Sequence, residues 1–165
     1  MRKNTIHFDS PREKASYVNT MFARIAGRYD RMNRFMSLGR DQAWRRRAVQ
    51  LAAVPSGGRL LDVAVGTGDL ALACLDDDPS ISVTGVDFTM EMMRFGQLKE
   101  RERSGRLGPA TSIGWTGGDA LHLPYPDGTF DAVVSGFMMR NIIDVAAACA
   151  EQRRVVRPGG RVVIL

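Results

Sequence analysis

Cysteine and long apolar runs are what this sequence has least of. It contains two cysteines, Cys74 and Cys149, and neither has a second cysteine at the spacing of a metal or redox site. We therefore expect no metal and a reducing compartment. No apolar run is long enough to span a bilayer, and residues 1–4 do not begin an apolar signal sequence. Together these absences predict a cytoplasmic protein.

Positive charge, in contrast, is concentrated in one segment. Residues 24–47 contain eight arginines and two aspartates, in a chain whose net charge is +5. We expect no exposed aromatic residues among these arginines and find no base-reading motif, so nucleic acid is not an expected partner. The arginines at positions 24, 28, 31 and 34 flank the apolar face of a predicted helix, a pattern typical of contact with an anionic membrane surface. A solvated helix face is the alternative.

The spacing of apolar residues predicts helices first and then alternating strands and helices. Ser10 begins a helix whose apolar residues recur as far as Met36, and Asp41 caps a second helix that reaches about Val54. Strands are then predicted at 60–65, 81–87, 111–115, 131–136 and 161–165, with helices at 68–76, 90–103 and 144–154. This order predicts an α/β, Rossmann-like fold with a doubly wound, mostly parallel sheet.

The most informative stretch follows the first predicted strand. Gly66 and Gly68 form a turn from strand to helix, where the backbone can approach a ligand that a side chain would exclude. Asp87 ends the next strand at the spacing that brings a carboxylate to a ribose. The pattern predicts a cofactor that contains a nucleoside.

Two further acidic residues favour S-adenosylmethionine over a nicotinamide dinucleotide. Asp62, beside the glycine turn, would repel a pyrophosphate and attract a sulfonium and an ammonium group. Asp119 ends the third strand, where a carboxylate can accept a hydrogen bond from an adenine amino group. A nicotinamide-dependent dehydrogenase is the less favoured alternative.

Four segments resemble the C-methyltransferases of ubiquinone and menaquinone biosynthesis, the UbiE/MenG type. They are Tyr29–Ser37 with the following Trp44-Arg45, Asp62–Leu70, Arg140–Asp144 and Arg154–Arg161. The first and third segments are specific to that family, and the resemblance extends from about Val18 to Leu165. The other two segments are common among class I methyltransferases, so a methyltransferase for another small molecule is an alternative. The chain departs from the family at Asp41, where histidine is frequent, and at Gly136, where many members have serine.

The resemblance implies a class I S-adenosylmethionine-dependent methyltransferase fold and methyl transfer to a ring carbon of a prenylated quinol. The quinol would be demethylmenaquinol or 2-polyprenyl-6-methoxy-1,4-benzoquinol. Arg140 is the expected catalytic residue, because a cation after the fourth strand can stabilise a developing ring oxyanion. Its alternative role is an ion pair with Asp144. The residues expected to bind the cofactor are Asp62, Ala64, Gly66, Thr67, Gly68, Asp87, Phe88, Asp119, Ala120, Ser135 and Gly136.

The two ends of the chain have different expected tasks. Residues 1–55 are expected to form a helical lid or substrate region, and residues 56–165 a cofactor-binding core. Residues 161–165 begin a strand that no turn or helix follows, whereas family members continue with further strands. We therefore expect a C-terminally truncated core with little turnover, and a catalytically inactive cofactor-binding remnant is a further alternative. With a lipid quinol as substrate, peripheral contact with the inner face of the membrane is expected.

Overall fold

The architecture is an N-terminal group of helices followed by alternating strands and helices. The computed structural model describes Phe8, residues 10–107 and residues 112–165. The N-terminal helices are α1 (Pro11–Ile25), α2 (Tyr29–Met36) and α3 (Asp41–Ala52), with a 3₁₀ turn at Ala26–Arg28 between the first two. The remaining elements are β1 (Arg59–Val63), α4 (Asp69–Asp77), β2 (Ser82–Asp87), α5 (Met90–Leu107), β3 (Ile113–Gly117), β4 (Phe130–Ser135), α6 (Val145–Val155) and β5 (Val156–Ile164).

The five strands form one parallel sheet in the order β3-β2-β1-β4-β5. The predicted Rossmann-like, doubly wound class is thereby confirmed. The chain winds outward from β1 in one direction to β3 and then crosses back to β4. Crevices at such a reversal, outside the carboxyl ends of the strands, are the usual ligand sites of open α/β sheets.

Apolar side chains cover both faces of the sheet. On one face Leu60 and Val83 pack with residues of α3 and α4, including Ala52 and Leu75. On the other face buried side chains such as Leu61 and Val133 pack with α6. The register of the strands is therefore strongly specified, because a shift by one residue would move every side chain of a strand to the other face of the sheet.

Several local predictions need correction. Ser10 caps α1 by accepting a hydrogen bond from the Glu13 amide at 3.2 Å, as expected. The predicted continuous helix to Met36 is interrupted by the 3₁₀ turn. Asp41 does not cap α3. The cap position belongs to Arg40, while the Asp41 carboxylate accepts a hydrogen bond from the Ser37 hydroxyl at 2.9 Å.

The remaining differences concern element ends and the cysteines. The first residue of the predicted third strand, Thr111, lies outside the described residues, and β3 begins at Ile113. β5 begins at Val156 instead of the predicted residue 161, and residues 157–160 form an irregularity in its pairing with β4. Cys74 is buried, and burial raises the pKa of its thiol, but Cys149 is only half-buried.

No helix within the described residues is both long and apolar enough to traverse a bilayer.

Candidate functional site

A cavity lies at the carboxyl ends of four strands, beneath α1. Its polar side is formed by the segments that follow β1, β2, β3 and β4, and its roof by Ala15, Val18 and Phe22 of α1. Of the residues predicted to bind a cofactor, Ala64, Gly66, Asp87, Phe88, Asp119, Ala120 and Gly136 line it. The topology thus brings together residues that are up to 72 positions apart in the sequence (from Ala64 to Gly136).

The turn after β1 has the backbone conformation that glycine favours. Gly66 and Gly68 have φ angles of 54° and 78°. A β-carbon on Gly68 would lie 2.7 Å from Cη2 of Trp115, so packing as well as conformation excludes a side chain there. Gly68 contacts this ring instead of lining the cavity, whereas Gly66 exposes its backbone to the ligand space.

Asp87 links the ends of β1 and β2. One carboxylate oxygen accepts a hydrogen bond from the Gly66 amide at 2.8 Å, and the other accepts from the Thr89 amide at 2.8 Å. Burial raises the pKa of Asp87, and the backbone donors oppose that shift. Asp87 also lines the cavity, so the carboxylate that fixes the glycine turn is placed to accept from a ligand hydroxyl as well.

We expected Asp62 to contact a cationic cofactor, but its hydrogen-bond partner in the structure is a backbone amide. It is 1% exposed and does not line the cavity. Its Oδ2 accepts from the Ala71 amide at 3.0 Å, in the first turn of α4, whose cap residue Gly68 has no side chain to offer. Burial raises the pKa of Asp62 to about 8. The carboxyl group is therefore largely neutral at pH 7. The expected attraction between Asp62 and a cationic cofactor needs a negative charge on Asp62, so it is weak in the unliganded protein.

Thr67 connects the glycine turn to the N-terminal helices through a chain of charged residues. Its hydroxyl donates to Asp30 Oδ1 at 2.6 Å, and Lys99 Nζ donates to Asp30 Oδ2 at 2.7 Å. Lys99 also contacts Asp69, and Asp69 lies 3.4 Å from the Arg45 guanidinium. Sequence reasoning missed this network, because its members come from four separate helices and a loop. The available signal was that Asp30 and Arg45 fall within the first family-like segment and Thr67 and Asp69 within the second.

The other half of the cavity is apolar. Val18 and Phe22 of α1 face Met138 and Ile142 from the segment that follows β4, and Asn141 and Tyr29 supply polar groups at its margin. Lys14 of α1 donates a hydrogen bond to the Ile142 carbonyl at 3.0 Å, which joins roof and wall. An apolar ring can be enclosed here beside the polar strand ends.

The structure separates the other predicted residues into two groups. Asp119 and Ala120 line the cavity, and Asp119 Oδ1 accepts from the Leu121 amide at 2.9 Å. Ser135 is fully buried, donates to Gln152 Oε1 at 3.2 Å and does not line the cavity. Arg140 is exposed and lies outside the lining as well. Its suggested partner Asp144 instead caps α6 by accepting from the Ala147 amide at 2.9 Å.

These residues fit an adenosine-containing cofactor. Asp87 places a carboxylate in the lining, Gly66 places backbone without a side chain there, and a β-carbon on Gly136 would meet only Leu70 at 3.7 Å, so the space beside it is open. For residues 10–107 and 112–165, no cluster of three or more histidine, cysteine or acidic side chains is placed to hold a metal ion.

Known proteins resemble the chain in sequence and in fold. A demethylmenaquinone methyltransferase of Roseiflexus castenholzii is 45% identical over 98% of this chain and 65% of its own length. A protein of Geobacter sp. (strain M21), named ubiquinone/menaquinone biosynthesis C-methyltransferase UbiE, is 41% identical over 93% of this chain and 64% of its own length. The chain thus spans less than two thirds of these relatives.

The fold comparison agrees with the sequence comparison. The solved YcgJ protein of Bacillus subtilis superposes with a TM-score of 0.62 at 28% identity, over 70% of this chain and 47% of that one. Strand order, strand direction and the position of the cavity are those of the class I methyltransferase fold. Since the family model matches residues 10–165, the chain belongs to the ubiE/COQ5 methyltransferase family.

Proposed function

We propose that this chain binds S-adenosylmethionine and contributes to methyl transfer onto a ring carbon of a prenylated quinol. The observation that carries the proposal is the divided cavity, in which Asp87 and Asp119 lie beside an apolar space under α1. The names of the Roseiflexus and Geobacter relatives support demethylmenaquinol or 2-polyprenyl-6-methoxy-1,4-benzoquinol as acceptor.

Each strand end has a proposed part in cofactor binding. When bound, S-adenosylmethionine supplies an activated methyl group. We assign the ribose hydroxyls to Asp87, the adenine to Asp119 and Ala120, and the amino-acid part to Gly66 and Thr67. The residues that complete the proposed site are Asp62, Ala64, Gly68, Phe88, Ser135 and Gly136. Four of the proposed residues, Asp62, Thr67, Gly68 and Ser135, do not line the cavity and would act from behind its lining.

The chain's contribution to the reaction is chiefly alignment. In this proposal Phe22, Met138 and Ile142 enclose the quinol ring, and α1 keeps water away from it. Close alignment in a dry site accounts for much of the acceleration that a displacement of this kind requires. Arg140 is proposed to stabilise the ring oxyanion, and from its exposed position it would do so at the cavity margin.

The division of the chain and its location complete the proposal. Residues 1–55 act as lid and substrate region, and residues 56–165 as the cofactor-binding core. Because the substrate is a lipid, the protein works in the cytoplasm at the inner face of the membrane. Of the apolar face of α1, which we expected to meet that membrane, Val18 and Phe22 line the cavity, and Val18 is 8% exposed.

Calorimetric titration tests the cofactor assignment. We expect S-adenosylmethionine to bind and NAD not to bind. Asp87→Ala should weaken binding about tenfold or more, since hydrogen bonds to a charged group contribute about 1.5–3 kcal/mol each. Asp87→Asn, which keeps one acceptor for the Gly66 amide, separates loss of ligand contact from loss of the turn. Asp77→Ala, at the far end of α4, is the matched control and should bind like the parent.

Transfer of a labelled methyl group from S-adenosylmethionine to demethylmenaquinol tests the acceptor. Product formation that Asp87→Ala impairs supports the proposal. Equal affinities of Asp87→Ala and parent would refute the cofactor assignment. Binding without any transfer would favour the inactive cofactor-binding remnant.

A further inference from the structure

The turn between α2 and α3 exposes large apolar side chains. Phe35 is 82% exposed, Met36 62% and Leu38 88%. We refer to these three residues as the apolar tip. The sequence pattern places Phe35 and Met36 among the apolar residues of the first predicted helix. In the structure they end α2, beyond the 3₁₀ turn at Ala26–Arg28, and are exposed.

The apolar tip is held outward by a hydrogen-bonded turn. The Leu38 amide donates to the Phe35 carbonyl at 3.2 Å, and the Gly39 amide donates to the Arg34 carbonyl at 2.8 Å. Leu38 has a φ of 51°, a left-handed conformation that a large apolar residue seldom adopts. Strained backbone that the surroundings enforce is frequent at functional sites. The Ser37 hydroxyl, bonded to Asp41 at 2.9 Å, fixes the turn to α3.

The charge around the apolar tip is positive toward solvent. Arg31, Arg34 and Arg40 flank it and are exposed. The two acids of the segment point inward, where Asp30 pairs with Lys99 at 2.7 Å and Asp41 with Arg45 at 3.5 Å. The outer face therefore presents arginines beside apolar side chains, without acidic residues of the same segment to neutralise them.

The apolar tip is also close to the cavity. Tyr29, at the start of α2, lines the cavity, and Phe35 and Met36 end the same helix. Eight helical residues rise by about 10 Å, so the tip lies roughly that far from the cavity wall along the helix. A surface on which the tip rests would bring a lipid substrate to the neighbourhood of the site.

We propose that the apolar tip inserts into the headgroup region of an anionic bilayer, with the flanking arginines on lipid phosphates. This inference rests on the proposed function only in explaining why membrane contact is useful, since a prenylated quinol resides in the membrane. Its physical basis is the pairing of exposed apolar area with arginine, which both contribute to interfacial binding. The site differs from the α1 face that the sequence indicated.

Vesicle co-sedimentation tests the proposal with the 165-residue chain. Vesicles of phosphatidylglycerol and phosphatidylcholine are compared with vesicles of phosphatidylcholine alone. We expect binding to the anionic vesicles at low salt, weakened at least tenfold by Phe35→Gln with Leu38→Gln. Arg31→Gln with Arg34→Gln should also weaken it, with a difference that fades as salt rises. Leu98→Gln, at a residue of α5 that is 52% exposed, is the matched control and should bind like the parent.

Trp44 supplies a second measurement at the same surface. Its side chain is 43% exposed and lies in the first turn of α3, next to the apolar tip. Lipids with brominated acyl chains should quench its fluorescence in the parent and leave it unquenched in the Phe35→Gln, Leu38→Gln variant. Trp115, which is half-buried between sheet and α5, should not respond in either protein.

Other occupants of the apolar tip give distinct results. The proposal would be overturned if the parent does not bind anionic vesicles, or if the tip variants bind them as well as the parent does. So would a parent dimer that the tip substitutions dissociate, which would identify a subunit interface. Binding of single-stranded nucleic acid in preference to vesicles would likewise overturn it. This outcome is tested because Phe35 and Trp44 are exposed among the arginines, whereas we expected no exposed aromatic residues there.

Titration with S-adenosylhomocysteine distinguishes a failure of this inference from a failure of the proposed function. Tip variants that retain their affinity for it but lose vesicle binding support membrane insertion. Vesicle binding by a parent that lacks affinity for S-adenosylhomocysteine would refute the proposed function while leaving the inserted tip supported.

Discussion

Asp62 and Asp87 are both buried beside the glycine turn, and their hydrogen bonds give them different tasks. Asp87 accepts from the Gly66 and Thr89 amides and lines the cavity. Asp62 accepts from the Ala71 amide and is hidden from the cavity. One carboxyl group thus fixes the start of α4 while the other remains available to a ligand.

The raised pKa of Asp62 predicts how stability depends on pH. Its ordinary pKa is 3.8, and burial raises it to about 8 in the folded protein. The folded chain therefore retains a proton that the unfolded chain has lost, and the free energy of unfolding falls as pH rises from about 4 to about 8. Asp62→Asn keeps an acceptor for the Ala71 amide but does not titrate. Relative to the parent, the variant should become more stable with rising pH, by up to about 1.4 kcal/mol per pH unit.

Urea unfolding at intervals between pH 5 and pH 8 measures this difference. Asp87 is present in both proteins, so the difference between them reports Asp62 together with its electrostatic coupling to Asp87. A difference in unfolding free energy that stays constant over the whole range would show that Asp62 is ionised in the folded protein.

Sequence reasoning at the residue scale succeeded where local geometry determines the outcome. Gly66 needs a left-handed backbone and Asp87 ends a strand next to β1, and both features follow from short stretches of sequence. It failed for the partner of Thr67. The distance from Asp30 to Thr67 is 37 positions, and their hydrogen bond depends on how α2 rests on the core. Packing between elements of that kind leaves no periodic pattern in the sequence.

At the scale of elements, the network around Lys99 connects α2, α4 and α5 to the glycine turn. Asp30 bonds both Thr67 and Lys99, and Lys99 continues to Asp69 at the start of α4. The side chains of Asp30 and Lys99 are each close to one third exposed, so their ion pair stabilises the fold only modestly. Its larger consequence is orientation, because a Thr67 hydroxyl that donates its proton to Asp30 has its lone pairs left for a ligand donor.

We expect Asp30 to be a positioning residue that acts through Thr67. Asp30→Ala and Thr67→Val should each weaken S-adenosylhomocysteine binding by roughly three- to tenfold, the value of one neutral hydrogen bond. The double variant should lose little more than either single one, because both remove the same interaction. Calorimetric titration of the four proteins measures this coupling.

Two controls distinguish positioning from a general loss of structure. Asp30→Glu should recover part of the affinity, and Asp127→Ala, whose carboxylate pairs with Arg154 on the far side of the sheet, should not change it. Additive losses in the double variant, or losses that parallel the unfolding free energies of the four proteins, would rule out a positioning role.

At the scale of the whole molecule, α1 forms the roof over the cavity between itself and the sheet. Ala15, Val18 and Phe22 line the cavity, and Lys14 joins the roof to Ile142 at 3.0 Å. A ligand between roof and sheet leaves when α1 opens, so occupancy should keep α1 closed. Saturation at one hundred times the dissociation constant adds about 2.7 kcal/mol to the cost of opening.

Limited trypsin digestion should reveal this closure. Cleavage after Arg24, in the last turn of α1, should slow by up to about one hundredfold with S-adenosylhomocysteine at that saturation, because cleavage follows the population of the open form. Cleavage after Arg47 of α3, a helix that does not line the cavity, should slow much less. Equal protection at the two arginines would indicate that the ligand stabilises the entire chain and that α1 is not a separately opening roof.

The hydrogen bond from Lys14 to Ile142 also has a consequence for biosynthesis. It spans 128 positions, so a ribosome releases α1 long before it has made the wall on which α1 rests. During that interval α1 lacks the contact with Ile142 and its neighbours, although α5, which it also contacts, is made earlier. The roof of the cavity is therefore completed only after its wall has been made, and until then the side of α1 that faces the cavity is open to a chaperone or lipid surface near the ribosome.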